Sequence, residues 1–224
     1  MRTAIQAIVL AAGRSTRMGR QKLLLPFGEV SLLYRTLSAV LESGFEKTFV
    51  VVSRETKESL PSIKTLKGVE YVVNPDPDRG KDSSFHCGLK ALKGEGEWHG
   101  EGLSFAVFLG DKPLITAEQI LDLRRRFTAA SQSALIPRKD GIPGHPAFYA
   151  HLWRERFLRS DKGARETLFR HAQEVQWTEG YESCFFDVDT EEDYRQLLQR
   201  AEKLGPGTEP TPFALGGDGG SKWI

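Results

Sequence analysis

The sequence has few cysteines and no long hydrophobic run. Two cysteines occur in 224 residues, Cys87 and Cys184, and neither stands in a CxxC or other metal-ligand spacing. We therefore expect two reduced thiols in a cytoplasmic protein rather than a disulfide framework. The apolar run in MRTAIQAIVLAAG is too short to span a membrane, and it is typical of a strand rather than a signal peptide.

An excess of charge of either sign is also missing. Lys and Arg number 31 against 30 Asp and Glu, which gives a formal net charge of +1. A chain so close to neutral gives no indication of binding to nucleic acid or to a membrane surface. Its length and its 39% of hydrophobic residues are typical of one globular domain. We predict this domain over residues 1–203, followed by a flexible Gly/Pro-rich tail over residues 204–224.

Strand-like and helix-like segments alternate along the chain, which predicts an α/β fold with a mostly parallel central sheet. Amphipathic spacing and capping residues predict four helices, in SLLYRTLSAVLESG, SSFHCGLKALKG, TAEQILDLRRRFTAA and EEDYRQLLQRAEKL. Short apolar runs predict the strands, in AIQAIVL, KTFVVVS, VEYVV, LSFAVFLG, SALIP, PAFYA, EVQWT and FFDVD.

Polar clusters follow several of these predicted strands. AAGRSTRMGRQK follows the first, NPDPDRGKDSS the third, GDKP the fourth, and DVDT ends the last. Ligands of open parallel sheets bind beyond the carboxyl ends of the strands. We therefore expect these clusters to converge on one site.

The first cluster has the character of a phosphate-binding loop. Ala11, Ala12 and Gly13 allow close approach of the backbone, whose N–H groups can cradle an anion. Arg17 and Lys22 add positive charge suited to phosphate oxygens. The segment is neither a Walker A loop nor a GxGxxG fingerprint, which disfavours a dehydrogenase. A solvated basic loop is the alternative interpretation.

The stretch from Leu10 to Lys22 resembles the signature LAAGxSxRMGxxK of the nucleotidyltransferases that act on molybdenum cofactor. The resemblance is closer to the cytidylyltransferase branch, since the guanylyltransferase branch usually shows LAGG. It implies a Rossmann-like, three-layer nucleotidyltransferase fold. It also implies that the loop from Leu10 to Gly13, with Arg17 and Lys22, grips the triphosphate of an NTP. Arg14 and Arg20 occupy variable positions, where we expect solvated side chains.

The resemblance covers about residues 5 to 200. NPDPDRGKDSSFHCGL is similar to the segment with which the family binds the nucleotide base, and Asn74, Gly80 and Ser84 match its recurrent positions. An ordinary loop and helix cap, with Ser83 or Ser84 as the capping residue, is the structural alternative.

Two acidic segments match the metal site of the family. Asp111 in FAVFLGDKP corresponds to the family's metal-binding aspartate, and Asp189 in FFDVDTEEDYRQL to a second ligand, with Asp187 less favoured. The resemblance thus implies a Mg²⁺ that is held by two carboxylates and bridges nucleotide phosphates. Lys112 stands where Met or Gln is usual, and its role is left open.

The acceptor side of the resemblance lies in GHP and DKGAR, which are similar to the cytidylyltransferase branch. It implies an acceptor-binding role for His145, Asp161 and Arg165, with Gly163 between the latter two. A structural histidine and an ordinary helix start are the alternatives.

The resemblance implies Mg²⁺-dependent transfer of CMP from CTP to the terminal phosphate of molybdopterin, with release of pyrophosphate. The implied partners are an NTP, with CTP favoured, a pterin phosphate acceptor and a molybdenum hydroxylase apoenzyme. Alternatives within the enzyme class are guanylyl transfer to molybdopterin, cytidylyl transfer to a sugar-alcohol phosphate, and sugar-nucleotide synthesis. A non-catalytic accessory protein for a molybdenum hydroxylase is the alternative outside it.

Overall fold

The fold is given by a computed structural model that describes residues 4–59, 66–92 and 103–204. The strands are β1 (Ala4–Ala11), β2 (Pro26–Phe27), β3 (Val30–Ser31), β4 (Thr48–Val52), β5 (Val69–Val73), β6 (Leu103–Leu109), β7 (Ala134–Lys139), β8 (Ile142–Pro143), β9 (Ala147–Ala150) and β10 (Val175–Thr178). The α-helices are α1 (Leu32–Glu42), α2 (Arg54–Glu58), α3 (Lys81–Ala91), α4 (Ala117–Ala129), α5 (Leu152–Arg159), α6 (Gly163–Arg170) and α7 (Glu191–Leu204). The predicted tail, beyond residue 204, lies outside the described residues.

The central sheet has the order β10-β7-β9-β6-β1-β4-β5, with β8 paired to β7. β1 pairs in parallel with both β4 and β6, and β4 pairs in parallel with β5. β9 runs antiparallel to its neighbours β6 and β7. The mostly parallel α/β sheet expected from the sequence is therefore confirmed. β2 and β3 form a separate antiparallel hairpin.

Helices cover both faces of this sheet, because successive residues of each strand point to opposite faces. Val9 on one face belongs to a buried cluster with Leu37 of α1 and Leu123 of α4. Ile8 on the other face belongs to a cluster with Leu89 of α3 and Trp153 of α5. The result is the predicted three-layer arrangement.

A third apolar cluster lies beside the sheet and holds the last helix. Leu197 of α7 packs with Leu25 and Phe27 near the hairpin and with Met18 of the loop after β1. The final helix thereby packs against the segment that carries the cationic loop.

Helix starts follow the capping residues of the sequence. The Ser31 hydroxyl accepts a hydrogen bond from the backbone of Tyr34 at the start of α1. Thr116 and Gln119 form a reciprocal capping box at the start of α4. Gly44, with a φ of 66°, follows the end of α1 as expected.

The strand predicted in FFDVD is wrong. Residues 185–189 form no strand and connect a short 3₁₀ turn, Glu182–Cys184, to α7. Val188 is fully buried in the third apolar cluster, so the apolar character of this segment reflects packing rather than sheet pairing. Within the described ranges, no helix has both the length and the apolar character needed to cross a membrane.

Candidate functional site

A cleft of about 300 Å³ opens at the carboxyl ends of β1 and β6. Such a position is where open α/β sheets bind ligands. Eight sequence-predicted residues line it: Leu10, Ala11, Ala12, Gly13, Lys22, Gly80, Ser84 and Asp111. Residues that the sequence analysis did not assign to the site also line it: Arg14, Leu23, Pro77, Asp78, Lys81 and Leu109. Three of the four predicted clusters therefore meet at this cleft, whereas no residue of DVDT is among those that line it.

The loop after β1 is closed by Ser15. Its backbone has a φ of 54°, and its hydroxyl donates to Gln21 Oε1 at 3.0 Å. The same hydroxyl accepts a hydrogen bond from the backbone N–H of Lys22 at 3.0 Å. A Cβ atom on Gly13 would meet no atom within 4 Å, so this residue borders open space. Ser15 stands at the fixed serine of the signature but was assigned no role from the sequence.

Asp111 is brought to the cleft by the close approach of β6 and β1. Gly110 donates its N–H to the carbonyl of Leu10 at 2.9 Å. A Cβ atom on Gly110 would lie 2.9 Å from Leu33 Cδ1 and 3.2 Å from the Leu10 carbonyl oxygen. These short contacts leave little room for a side chain at Gly110, and the next residue is Asp111.

Asp189 comes from the start of a helix rather than from the end of a strand, which corrects the sequence-based expectation. The Asp193 carboxylate accepts hydrogen bonds from the backbone N–H groups of Asp189, at 3.1 Å, and Thr190, at 2.8 Å. In return, the Thr190 hydroxyl accepts from the Asp193 N–H at 3.1 Å. This reciprocal cap of α7 fixes the backbone that carries Asp189.

Lys22 joins the two carboxylates. Its Nζ lies 2.5 Å from Asp111 Oδ2 and 2.6 Å from Asp189 Oδ1. Burial lowers the pKa of Lys22, but the charge of Asp111 and the hydrogen bonds to both carboxylates outweigh burial, so the pKa is raised overall. The hydrogen bond from Lys22 is the largest of the effects that lower the pKa of Asp189. Lys22 and Asp189 are therefore both charged at neutral pH.

The donor set fits a divalent cation. Asp111 Oδ1 is buried and has no hydrogen-bond partner, so this oxygen is available to a metal ion. The other oxygen of the same carboxylate, Oδ2, is paired with the Lys22 ammonium. No group of three or more His, Cys, Asp or Glu side chains within the described residues could hold a metal ion. Two carboxylates completed by water and substrate phosphates are the usual arrangement for Mg²⁺.

The other cations of the loop are Arg14, Arg17 and Arg20, which are exposed and each form an ion pair. Arg17 Nη1 lies 3.3 Å from Asp189 Oδ2. Arg14 lines the cleft and lies 2.7 Å from Asp78, although we expected it to be simply solvated. Arg20 forms a two-pronged contact with Glu191 in the first turn of α7, with both N–O distances at 2.8 Å. Arg20 is not among the residues that line the cleft.

The segment after β5 contributes Gly80 and the N-terminus of α3. Gly80 has a φ of 86°, which favours glycine, and Lys81 and Ser84 follow on the cleft wall. Asn74 is buried below them. Its amide nitrogen donates to Ser83 Oγ at 2.9 Å and to Ser84 Oγ at 3.0 Å. The structure thus places Asn74 in the support of the loop rather than on its surface.

His145 lies near both Lys112 and Asp111, whose charges affect its pKa. His145 Nδ1 lies 3.3 Å from the carbonyl oxygen of Val107, which can only accept, so Nδ1 carries the proton. Burial, and then the charge of Lys112, lower the pKa of His145 to about 4. Lys112 is itself buried, and its Nζ lies 2.6 Å from Asp187 Oδ1. The cation that departs from the family pattern is thus paired with Asp187.

Asp161 and Arg165 are not brought into the cleft. Arg165 borders a separate shallow pocket with Lys162, Glu166 and Phe169. The start of α6 does adjoin the first turn of α3, since a Cβ atom on Gly163 would lie 2.6 Å from Asp82 Oδ2.

A larger open groove, of about 1210 Å³, runs beside α4. Two of its charged groups are already engaged: Arg124 donates to the carbonyls of Ser43 and Gly44, and Asp122 accepts from the Tyr181 hydroxyl. The cleft at the strand ends is therefore the stronger candidate.

Comparison with known proteins agrees with the geometry. Residues 7–175 match the family described as MobA-like NTP transferase domain. The chain belongs to this family. It is a nucleotidyltransferase, as the resemblance implied.

Relatives and solved structures similar to this transferase carry related names. The molybdenum cofactor cytidylyltransferase of Escherichia coli (strain K12) is 27% identical over 146 residues, which cover 64% of this chain and 69% of that protein. A probable molybdenum cofactor guanylyltransferase of Thermococcus kodakarensis is 28% identical over 211 residues, 89% of this chain and 97% of that protein.

The crystal structure of Rv0371c from Mycobacterium tuberculosis H37Rv superposes with a TM-score of 0.72 at 25% identity, over 89% of this chain and 99% of that chain. A structure of Rv0371c in complex with manganese superposes with a TM-score of 0.68 at 24% identity, over 89% of this chain and all of that chain. These superpositions agree with the nucleotidyltransferase fold.

Proposed function

We propose that this transferase moves the CMP moiety of CTP to the terminal phosphate of molybdopterin, with release of pyrophosphate and dependence on Mg²⁺. The observation that carries the proposal is the ammonium of Lys22 between Asp111 and Asp189, beside a backbone loop that borders open space. The names of the relatives support a pterin acceptor. The LAAG form of the loop and the name of the Escherichia coli relative favour CTP over GTP.

The reaction needs positioning and charge neutralisation more than acid–base chemistry. An oxygen of the acceptor phosphate forms a bond to the α-phosphorus of the NTP, and the bond from that phosphorus to the oxygen bridging to the β-phosphate breaks. Pyrophosphate leaves with the bonding electrons. The attacking oxygen is already anionic, so no general base is required, and the obstacle is repulsion between two anions.

The residues of the cleft divide this work. The backbone from Leu10 to Gly13 and the cations Arg17 and Lys22 hold the triphosphate. Asp111 and Asp189 hold Mg²⁺, which when bound supplies positive charge against the phosphates.

The segment after β5 serves the nucleotide base, and the region around His145 serves the acceptor. Gly80 and Ser84 face the nucleotide base, and Asn74 keeps Ser84 in place through its hydrogen bond. We assign the binding of the acceptor to His145, Asp161 and Arg165. A molybdenum hydroxylase apoenzyme would receive the product. The cytoplasmic location predicted from the sequence stays a prediction, as do the domain and tail boundaries.

Guanylyl transfer is the second candidate, because the relative that covers most of this chain is named a probable guanylyltransferase. We would measure pyrophosphate release from each of the four NTPs with Mg²⁺, with and without molybdopterin. Release with CTP alone, and only when the pterin is present, supports the proposal. Release with GTP alone would instead support guanylyl transfer. Pterin binding without release from any NTP would instead support the accessory protein.

A further inference from the structure

The two carboxylates of the site already have a cation between them. Lys22 is largely buried, with 12% of its side chain exposed, and Asp111 is similarly enclosed at 13%. Among the described residues, Asp111 and Asp189 are the only ion-pair partners of Lys22. A third carboxylate on the wall of the same cleft, Asp78, is paired with Arg14 instead.

A divalent ion that enters alone must separate these charges. One ammonium and two carboxylates leave a net charge of −1, and Arg17 beside Asp189 offsets that charge further. The cluster therefore attracts a divalent ion weakly, and the ammonium repels it at close range. The backbone of Lys22 is fixed by the Ser15 hydroxyl, so relief has to come from rotation of the side chain. A rotated ammonium would give up both of the ion pairs that the structure shows for it.

A triphosphate changes this balance. Lys22 lines the same cleft as the open backbone at Gly13, so the phosphates lie within reach of its side chain. The ammonium can then exchange carboxylate oxygens for phosphate oxygens, which frees Asp111 and Asp189 for the metal. Each ligand thus removes an obstacle to the other, and such a coupling is reciprocal.

We propose that Lys22 makes the binding of divalent metal and of triphosphate interdependent: without nucleotide it occupies the carboxylates in place of the metal. The inference rests on the proposed function for the identity of the triphosphate. The proposal predicts that loss of Lys22 affects metal binding in the opposite direction to loss of a residue that binds the metal. Removal of Lys22 should strengthen the binding of metal alone while it weakens the binding of nucleotide.

Equilibrium dialysis of the full chain against Mn²⁺ without nucleotide tests this. Lys22→Met keeps the aliphatic length, removes the charge and should bind Mn²⁺ on the order of tenfold more tightly than the wild type. Arg20→Met is the matched control, since it removes one charge from the same loop outside the cleft, and it should leave Mn²⁺ affinity unchanged. The double variant with Lys22→Met and Asp111→Asn should lose the gain, which assigns the bound ion to this site.

A second measurement needs no variant and therefore does not depend on the folding of one. Tripolyphosphate, which has no base, is added to the wild-type dialysis while the concentration of free Mn²⁺ is held constant, and the Mn²⁺ retained with the protein should rise. Retention that stays the same or falls at equal free Mn²⁺ would overturn the proposal. So would a Lys22→Met protein that binds Mn²⁺ alone no better than the wild type. These results do not depend on turnover, so a protein inactive with every NTP would refute the proposed function while leaving the coupling intact.

Discussion

The buried ion pair between Lys112 and Asp187 should fix the segment that carries Asp189. Lys112 is 4% exposed, and its Nζ lies 2.6 Å from Asp187 Oδ1 and 3.5 Å from the carbonyl of Phe186. Residues 185–189 form no strand, and the Lys112 ammonium contacts this segment at both Phe186 and Asp187. We therefore expect Lys112 to stabilise the approach to α7 rather than to bind phosphate.

The cost of its removal follows from the exposure of the two partners. Removal of one member of a fully buried ion pair costs about 3–5 kcal/mol, because the other charge is left uncompensated. The Asp187 side chain is 40% exposed, so water offsets part of that loss. Lys112→Met should therefore lower the free energy of unfolding by about 1–3 kcal/mol.

Urea unfolding, followed by circular dichroism, measures this cost. The double variant with Lys112→Met and Asp187→Asn should regain part of the loss, because no uncompensated charge remains. A Lys112→Met protein as stable as the wild type would refute the reasoning. A double variant whose loss equals the sum of the two single losses would show that the pair has no coupling energy.

Three other perturbations follow from the structure. Gly88→Ala places a Cβ 2.5 Å from Ile8 Cγ2, so α3 must shift, and urea unfolding should show a loss of about 1–3 kcal/mol; an unchanged midpoint would contradict this packing. The lowered pKa of His145 means that the unfolded chain binds the extra proton first as pH falls below about 6.5. The free energy of unfolding of the wild type should therefore fall between pH 6.5 and pH 4. In His145→Gln this fall should be smaller by about 1–3 kcal/mol, as measured by unfolding across the same pH range. Asp111→Asn and Asp189→Asn should each lower Mg²⁺-dependent pyrophosphate release at least about a hundredfold, and near wild-type turnover in both would remove the metal assignment.

Sequence patterns predicted the features that depend on local chemistry. The apolar run that ends at Leu10 and the polar clusters AAGRSTRMGRQK and GDKP located two strand ends and the loop, because ligands of a parallel sheet bind at one edge. The capping residues Ser31 and Thr116 located the starts of two helices in the same way.

The missed features depend on contacts between distant segments. The position of Lys81 in the cleft follows from the packing of α3 on β1, and the ion pair of Arg14 with Asp78 joins two loops. The segment before Asp189 reads as a strand because a short apolar run has the same pattern whether it pairs in a sheet or packs against a helix. Only the fold shows that its neighbours are side chains of the third cluster.

The attachment of α7 to the loop after β1 has a consequence for the order of events during synthesis. Arg20 and Glu191 are 171 residues apart, and Lys22 and Asp189 are 167 apart. A ribosome that adds about 5–20 residues per second therefore delivers Lys22 roughly ten to thirty seconds before the second carboxylate. Until then the cationic loop lacks its C-terminal partners, and Lys22 has Asp111 alone as an ion-pair partner. The carboxylate pair that the proposed metal site needs is therefore complete only once the start of α7 has been made.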